Sequence, residues 1–261
     1  MLNPSADWLE YIPVPGLPQV WKVLNSDTVL QSDACVSYST VDSIETQFFQ
    51  QTGIRVQFSR RWLAFISGTT LQGNTITNVF NALAKYGPVL ETSWPQNNAM
   101  TWDAYYAAPT QAQLAALTAE GAQWKKVLNF QAPKYGIMPS ELTSYLQKAP
   151  VIAFIPAVNP DHAVEVVNLT TMFNSEPASS NPLTEFIQPF SVAQGNSFHQ
   201  IIIETTMNPN VETMNYNGTI GVFVPVSTPA EIPTLNAIFG TTLVAAADGS
   251  IATSKTVVDK A

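Results

Sequence analysis

Near residue 149 the chain changes its hydrophobic period, and that change limits the architectures open to it. Before that point apolar residues recur at helical spacing. Tyr38, Val41, Ile44 and Phe48 form one such stripe, followed by Gly53 as a stop. Ile76, Val79, Phe80 and Leu83 form a second within Gly73 to Tyr86, which Gly87-Pro88 ends. An Ala-, Gln- and Leu-rich stretch at 110–128 predicts a third helix. Pro139 to Lys148 predicts a shorter fourth one. After that point the pattern is that of strands: a continuous apolar run from Val151 to Pro156, then looser alternation in His162 to Val167, Leu183 to Phe190, Gln200 to Thr205 and Thr219 to Val226. Helices first and strands second predict an α+β fold of two layers meeting at a cleft.

The flanks follow from composition. Residues 1–32 hold Pro4, Pro13, Pro15 and Pro18 and show no period, so they read as an extended arm lying on the domain. Residues 95–110 read as a connection containing proline and aromatics. Trp94, Trp102, Tyr105 and Tyr106 are expected in interior packing or as a cover over the helix bundle rather than on a ligand surface. The stretch after Val226 reads as an appendage packed on the strand half.

Charge excludes whole classes of function. Only 11% of the 261 residues are Asp, Glu, Lys or Arg, against roughly 25% in an ordinary soluble domain, and the net charge is −8. Nucleic-acid binding needs clustered Lys and Arg and is not expected. No apolar run approaches the ~20 residues that span a bilayer, so no membrane partner is expected. Met1 to Pro15 has neither a basic nor an apolar segment of the signal-peptide kind. With one cysteine, two histidines and no ligand spacing among the carboxylates, neither a metal nor a cofactor is expected. Asp161 reads as a turn residue, and Glu45 and Glu91 as solvated.

Chemistry centres on the cysteine. Cys35 is placed at a helix N-terminus, with Asp33 or Ser32 as the cap. Unpaired N–H groups and the helix dipole there favour a thiolate, and the amphipathic helix that follows would hold the sulfur rigidly. His162 heads a strand after the Asn159-Pro160-Asp161 turn, at an edge where a ring can face a cleft. His199 has no accompanying signal and reads as a structural histidine.

These residues carry a resemblance. Gln31-Ser32-Asp33-Ala34-Cys35-Val36-Ser37-Tyr38-Ser39 resembles the catalytic-cysteine segment of papain-like cysteine peptidases, and His162-Ala163-Val164-Glu165-Val166-Val167 resembles their catalytic-histidine strand. Ser59-Arg60-Arg61-Trp62-Leu63 is similar to the Ser-containing helix that follows the active-site helix. Gly73-Asn74-Thr75-Ile76, and Tyr86-Gly87-Pro88-Val89-Leu90-Glu91 with Trp94-Pro95, are similar to the family's glycine-containing helix and the turn after it. The motifs stand in the family's order over about residues 18–205, with His162 lying 127 residues after Cys35. The charge-poor, Asn- and Thr-rich composition and the tail are similar to papain-like proteins found among tailed-phage virion components.

The resemblance implies a papain-like domain over 1–205, with a helical half at about 18–148 and a strand half at about 149–205. A C-terminal β appendage and tail would occupy 206–261. It implies peptide-bond hydrolysis on a peptide or protein substrate by a Cys35–His162 pair. The alternative is a structural component of a virion or other assembly, partnered by other virion proteins. The setting would be a virion or the cytoplasm of the producing cell. Two positions depart from the family's pattern. Its oxyanion glutamine stands six residues before the cysteine, where this chain has Val29. The nearest glutamine is Gln31, four before. Its imidazole-orienting asparagine has two counterparts here. Asn174, in Phe173-Asn174-Ser175, keeps the Asn-Ser pair but needs a tight turn near Asn168-Leu169. Gln188, in Ile187-Gln188-Pro189-Phe190, uses the polar run from Asn174 to Pro182 as its loop. Both stay open.

Overall fold

The computed structural model describes residues 3–12, 19–130, 141–155, 162–169, 171–174, 186–189, 221–222, 225–226, 243–245 and 251–253. Ahead of the first helix, β1 (Val20–Lys22) and β2 (Val29–Gln31) pair antiparallel, so part of the expected arm is a hairpin. Residues 3–12 do lie on the domain. The indole of the buried Trp8 donates to the Leu146 carbonyl at 2.6 Å, and its backbone N–H donates to Val167 at 2.9 Å.

Helix α1 (Cys35–Thr52) ends where expected, at Gly53, whose φ of 68° allows its N–H to turn back to the Phe49 carbonyl. The predicted stripe Tyr38, Val41, Ile44, Phe48 is buried. The helix is not amphipathic, however. Every residue from Val36 to Phe48 is buried, including Ser37, Ser39, Thr40, Asp42, Ser43, Glu45, Thr46 and Gln47. A helix buried on all sides is a central element. One core cluster joins α1 residues Val41, Ile44 and Phe48 to Val79, Leu83 and Trp124 from other helices, and to Ile152 and Ala163 from strands.

The surrounding helices start at hydroxyl caps, which satisfy N–H groups the first turn leaves open. Ser59 caps α2 (Arg60–Ser67), Thr75 caps α3 (Ile76–Tyr86) and Thr101 caps α4 (Trp102–Tyr105). Thr110 caps α5 (Gln111–Val127) in a reciprocal capping box with Gln113. Thr75 explains why α3 begins three residues later than the 73–86 window. Helix α2 is absent from the periodic signal and follows from its motif alone. Helix α4 lies within the stretch expected as a connection. Helices α3 and α5 meet at Gly87 and Gly121. A Cβ on Gly121 would stand 2.1 Å from the Tyr86 carbonyl oxygen, so only glycine permits that approach.

After β3 (Asn129–Phe130), α6 (Leu142–Leu146) is shorter than the expected fourth helix, and Pro139 lies outside the described residues. Then come β4 (Val151–Ile155), β5 (His162–Val166), β6 (Thr171–Asn174), β7 (Phe186–Pro189) and β8 (Gly221–Val222). They form an antiparallel sheet in the order β7-β6-β5-β4-β8. Strand β6 is not among the periodic segments. The expected strand at Gln200 to Thr205 lies outside the described residues. The Thr219 to Val226 segment divides. β8 pairs with β4, while β9 (Pro225–Val226) pairs with β3. Strands β10 (Leu243–Ala245) and β11 (Ile251–Thr253) form a hairpin, and β11 lies against α1. No helix among the described residues is long and apolar enough to cross a membrane.

Candidate active site

Cys35 is the first residue of α1 and is half-buried. The cap is neither Ser32 nor Asp33. It is Ala34, which offers no side-chain bond. The two expected caps shape the approach instead. Asp33 has φ 56°, a left-handed conformation uncommon outside glycine. The Ser32 hydroxyl accepts from the Ala34 N–H at 3.4 Å, and the Ser32 N–H donates to Gln19 at 2.8 Å. The Ser32 carbonyl accepts from the Tyr106 hydroxyl at 2.7 Å. On the far side, Gly73 lies alongside the Asp33 carbonyl oxygen, within ordinary contact reach. The turn into Cys35 is therefore held from several elements at once. Gln31 closes β2 opposite Val20 and is exposed.

His162 is the first residue of β5, opposite Ile155 of β4. A buried hydrogen bond ties this strand to the cysteine helix: the Ser39 hydroxyl donates to the Ala163 carbonyl at 3.0 Å. Ser39 is one helical turn from Cys35, roughly 6 Å along the axis. Ala163 is the residue after His162. The starts of α1 and β5 are thus brought to one end of their interface. Asn174 closes β6, which is hydrogen-bonded directly to β5, with bends at Asn168 and Leu169 after β5. Gln188 is on β7, opposite Met172 and one strand further from β5. Asp161 and His199 lie outside the described residues. No group of three or more His, Cys, Asp or Glu side chains among the described residues is arranged to hold a metal.

Behind the cysteine lies a charged cluster that the sequence reading missed. Glu45 is not solvated. It is buried, and Arg60, also buried, donates to its two oxygens at 3.1 and 2.9 Å. Arg60 also pairs with Asp42, and Glu45 accepts the Phe58 N–H at 2.6 Å. Burial raises the Glu45 carboxyl to about 7, with Arg60 opposing and Asp42 adding to the shift. Glu165, three residues along β5 from His162, is fully buried. Burial and then Asp42 raise its carboxyl well above the usual range. Glu91 is not solvated either. It is buried, accepts the Gln96 N–H at 2.5 Å and is raised by burial to about 7. Two signals were available: a glutamate inside the apolar run His162 to Val167, and an Arg pair in a chain this poor in charge.

Of the four aromatics, two pack inside and two, Trp102 and Tyr106, are half-buried. Tyr105 and Trp94 are buried, and Tyr105 joins Trp21, Ala34, Tyr38 and Ala64 in a cluster beneath the cysteine turn. Arg61 secures this layer, donating to the Tyr105, Pro95 and Ala104 carbonyls.

No known family profile matches the chain, and no curated protein does. Solved structures do. Digestive procathepsin L 3 from the larval midgut of Tenebrio molitor matches at 16% identity and a TM-score of 0.50, over 85% of this chain and 70% of that one. A recombinant stem bromelain precursor matches at 11% and 0.49, over 85% and 70%. Xylellain, a cysteine protease from Xylella fastidiosa, matches at 13% and 0.49, over 85% and 87%. The chain has the α+β fold of papain-like cysteine proteases.

Proposed function

We propose that the protein is a papain-like cysteine peptidase that hydrolyses peptide bonds. The observation carrying this reading is the Ser39–Ala163 hydrogen bond, which joins the helix opened by Cys35 to the strand opened by His162. Fold likeness alone would not suffice, because one scaffold hosts many functions.

The chemistry uses this chain's own groups. Cys35 as thiolate attacks the carbonyl carbon of the scissile bond and forms a tetrahedral intermediate. Its oxyanion is stabilised by the Cys35 backbone N–H, with Gln31 supplying a side-chain donor from the end of β2. His162 gives its proton to the departing amine. It then takes one from the water that cleaves the thioester, which restores the cysteine. Asn174 serves as the imidazole-orienting residue, since its strand pairs directly with β5 while that of Gln188 does not.

The test is hydrolysis of an unfolded protein substrate by the full chain, together with iodoacetamide labelling at neutral pH. Cys35→Ala and His162→Ala are each expected to abolish cleavage. Asn174→Ala is expected to slow it far more than Gln188→Ala. Retained cleavage in Cys35→Ala, or equal labelling of native and urea-unfolded wild type, overturns the reading.

A further inference from the structure

The cysteine turn is shaped by a residue that none of the motifs contains. Tyr106 lies just beyond α4, 71 positions after Cys35 in the chain. It is half-buried, and its hydroxyl donates to the Ser32 carbonyl at 2.7 Å. That carbonyl belongs to the peptide unit entering Asp33, the residue at φ 56°. A non-glycine residue in the left-handed region persists where its surroundings over-determine it. The bond from Tyr106 and the Ser32 N–H bond to Gln19 grip this peptide unit and its neighbour from two directions. Two residues later the chain enters α1, and the first turn of that helix takes its direction from this turn.

The ring is itself positioned. Trp102 packs on Tyr106 with centroids 4.6 Å apart, and Tyr105 meets it edge-on at 4.9 Å. Arg61 holds the adjoining backbone through the Tyr105 and Ala104 carbonyls. Burial is the main cause that holds the phenol well above its ordinary range, followed by Tyr38, Asp33 and Cys35. It therefore stays a proton donor throughout the neutral range and sits within electrostatic reach of the thiol.

We propose that Tyr106 is a positioning residue for the Cys35 site, its hydroxyl fixing the Ser32 peptide so that the Cys35 N–H is aimed at the developing oxyanion. This rests on the peptidase reading and adds to it a residue outside the cysteine and histidine segments. Tyr106 touches no reacting atom and acts through the backbone.

Tyr106→Phe removes the hydroxyl and keeps the ring. With an amide substrate, kcat is expected to fall roughly tenfold to a hundredfold, less than the roughly 10²–10³ lost with a direct oxyanion donor. KM should stay within about twofold, because ground-state binding does not use the oxyanion geometry. Binding of a peptide aldehyde, whose adduct mimics the tetrahedral state, should weaken by the same factor as kcat. Leu142→Ala, a buried position in α6 away from Tyr106, is the packing control: it should lower the thermal midpoint and leave kcat per folded molecule unchanged. If wild type cleaves and Tyr106→Phe keeps its kcat, the positioning role is overturned while the peptidase reading stands. The same holds if Leu142→Ala and Tyr106→Phe lose kcat per folded molecule equally. If wild type itself does not cleave, the peptidase reading fails and the proposal with it.

Discussion

The Ser39 hydroxyl and the Ala163 carbonyl oxygen lie 3.0 Å apart, in a hydrogen bond buried between the central helix and the sheet. Most of what holds that interface is apolar and non-directional. This bond is directional, so it fixes how far the helix slides along the strand. Ser39→Ala removes the donor and leaves a buried carbonyl short of a partner. We expect a stability loss of about 1–2 kcal/mol in urea denaturation. We also expect a fall in kcat larger than the lost folded fraction explains, since a small misplacement of reacting groups is costly. Unchanged kcat per folded molecule would separate the bond from the chemistry.

Arg60 makes the strongest prediction about stability. Its guanidinium is buried between Asp42 and Glu45. Arg60→Met fits the space with an apolar chain but strands two buried carboxylates. Breaking a buried pair from one side costs roughly 3–5 kcal/mol. Chemical denaturation should show a loss of that size. The triple change that also makes Asp42→Asn and Glu45→Gln should recover part of it, because fewer charges are then left uncompensated.

How much of this was legible before the fold was known depends on which physical signal each feature leaves. The stripe Tyr38, Val41, Ile44, Phe48 marks α1 because its period survives burial, and Gly53 marks its end. Helix α2 is easily passed over, because its eight residues hold one short apolar run beside Arg60 and Arg61, which occupy buried positions that pattern reading assigns to solvent. Glu45 and Glu91 fail for the same reason: a carboxylate reads as exposed unless its partner is known, and Arg60 is fifteen residues from Glu45. At the site, Cys35 and His162 are visible as residue types in an order. Tyr106 is not, since its contact with Ser32 spans 74 residues and no local pattern encodes it. Strand β6 is four residues long, too short for alternation to show, which left Asn174 and Gln188 level in sequence.

Burial sets the pH dependence. Glu45 and Glu91 rise from 4.5 to about 7 in the folded chain, and Glu165 moves the same way. A carboxyl raised on folding stabilises the native state fully below its unfolded value. That contribution is lost as pH climbs through the folded one. Stability should therefore decline from about pH 4.5 to above pH 7, opposite to a chain whose carboxylates are stabilised by ion pairs. Urea midpoints at pH 5 and pH 8 read this directly. Glu165→Gln should flatten the slope. A midpoint that rises with pH would mean that Arg60 outweighs burial in this cluster.

The contact of α3 with α5 gives a prediction whose sign opposes helix propensity. Gly121 lies inside α5, where alanine is ordinarily better by about 1 kcal/mol. Its Cβ would stand 2.1 Å from the Tyr86 carbonyl oxygen and 3.2 Å from that of Gly87, both backbone atoms that cannot rotate away. The helices must separate to admit a methyl group. That separation pulls Trp124 from its edge-on contact with Phe58, at a centroid distance of 4.7 Å, and the Trp62 indole from the Gly87 carbonyl it donates to at 3.1 Å. Overpacking of this kind typically costs about 1–3 kcal/mol, enough to reverse the propensity gain. Gly121→Ala should lower the urea midpoint, and because α1 lies on the other side of the same core, the loss should appear as one cooperative transition. A stabilised Gly121→Ala would show that the two helices part more easily than their backbone contact implies.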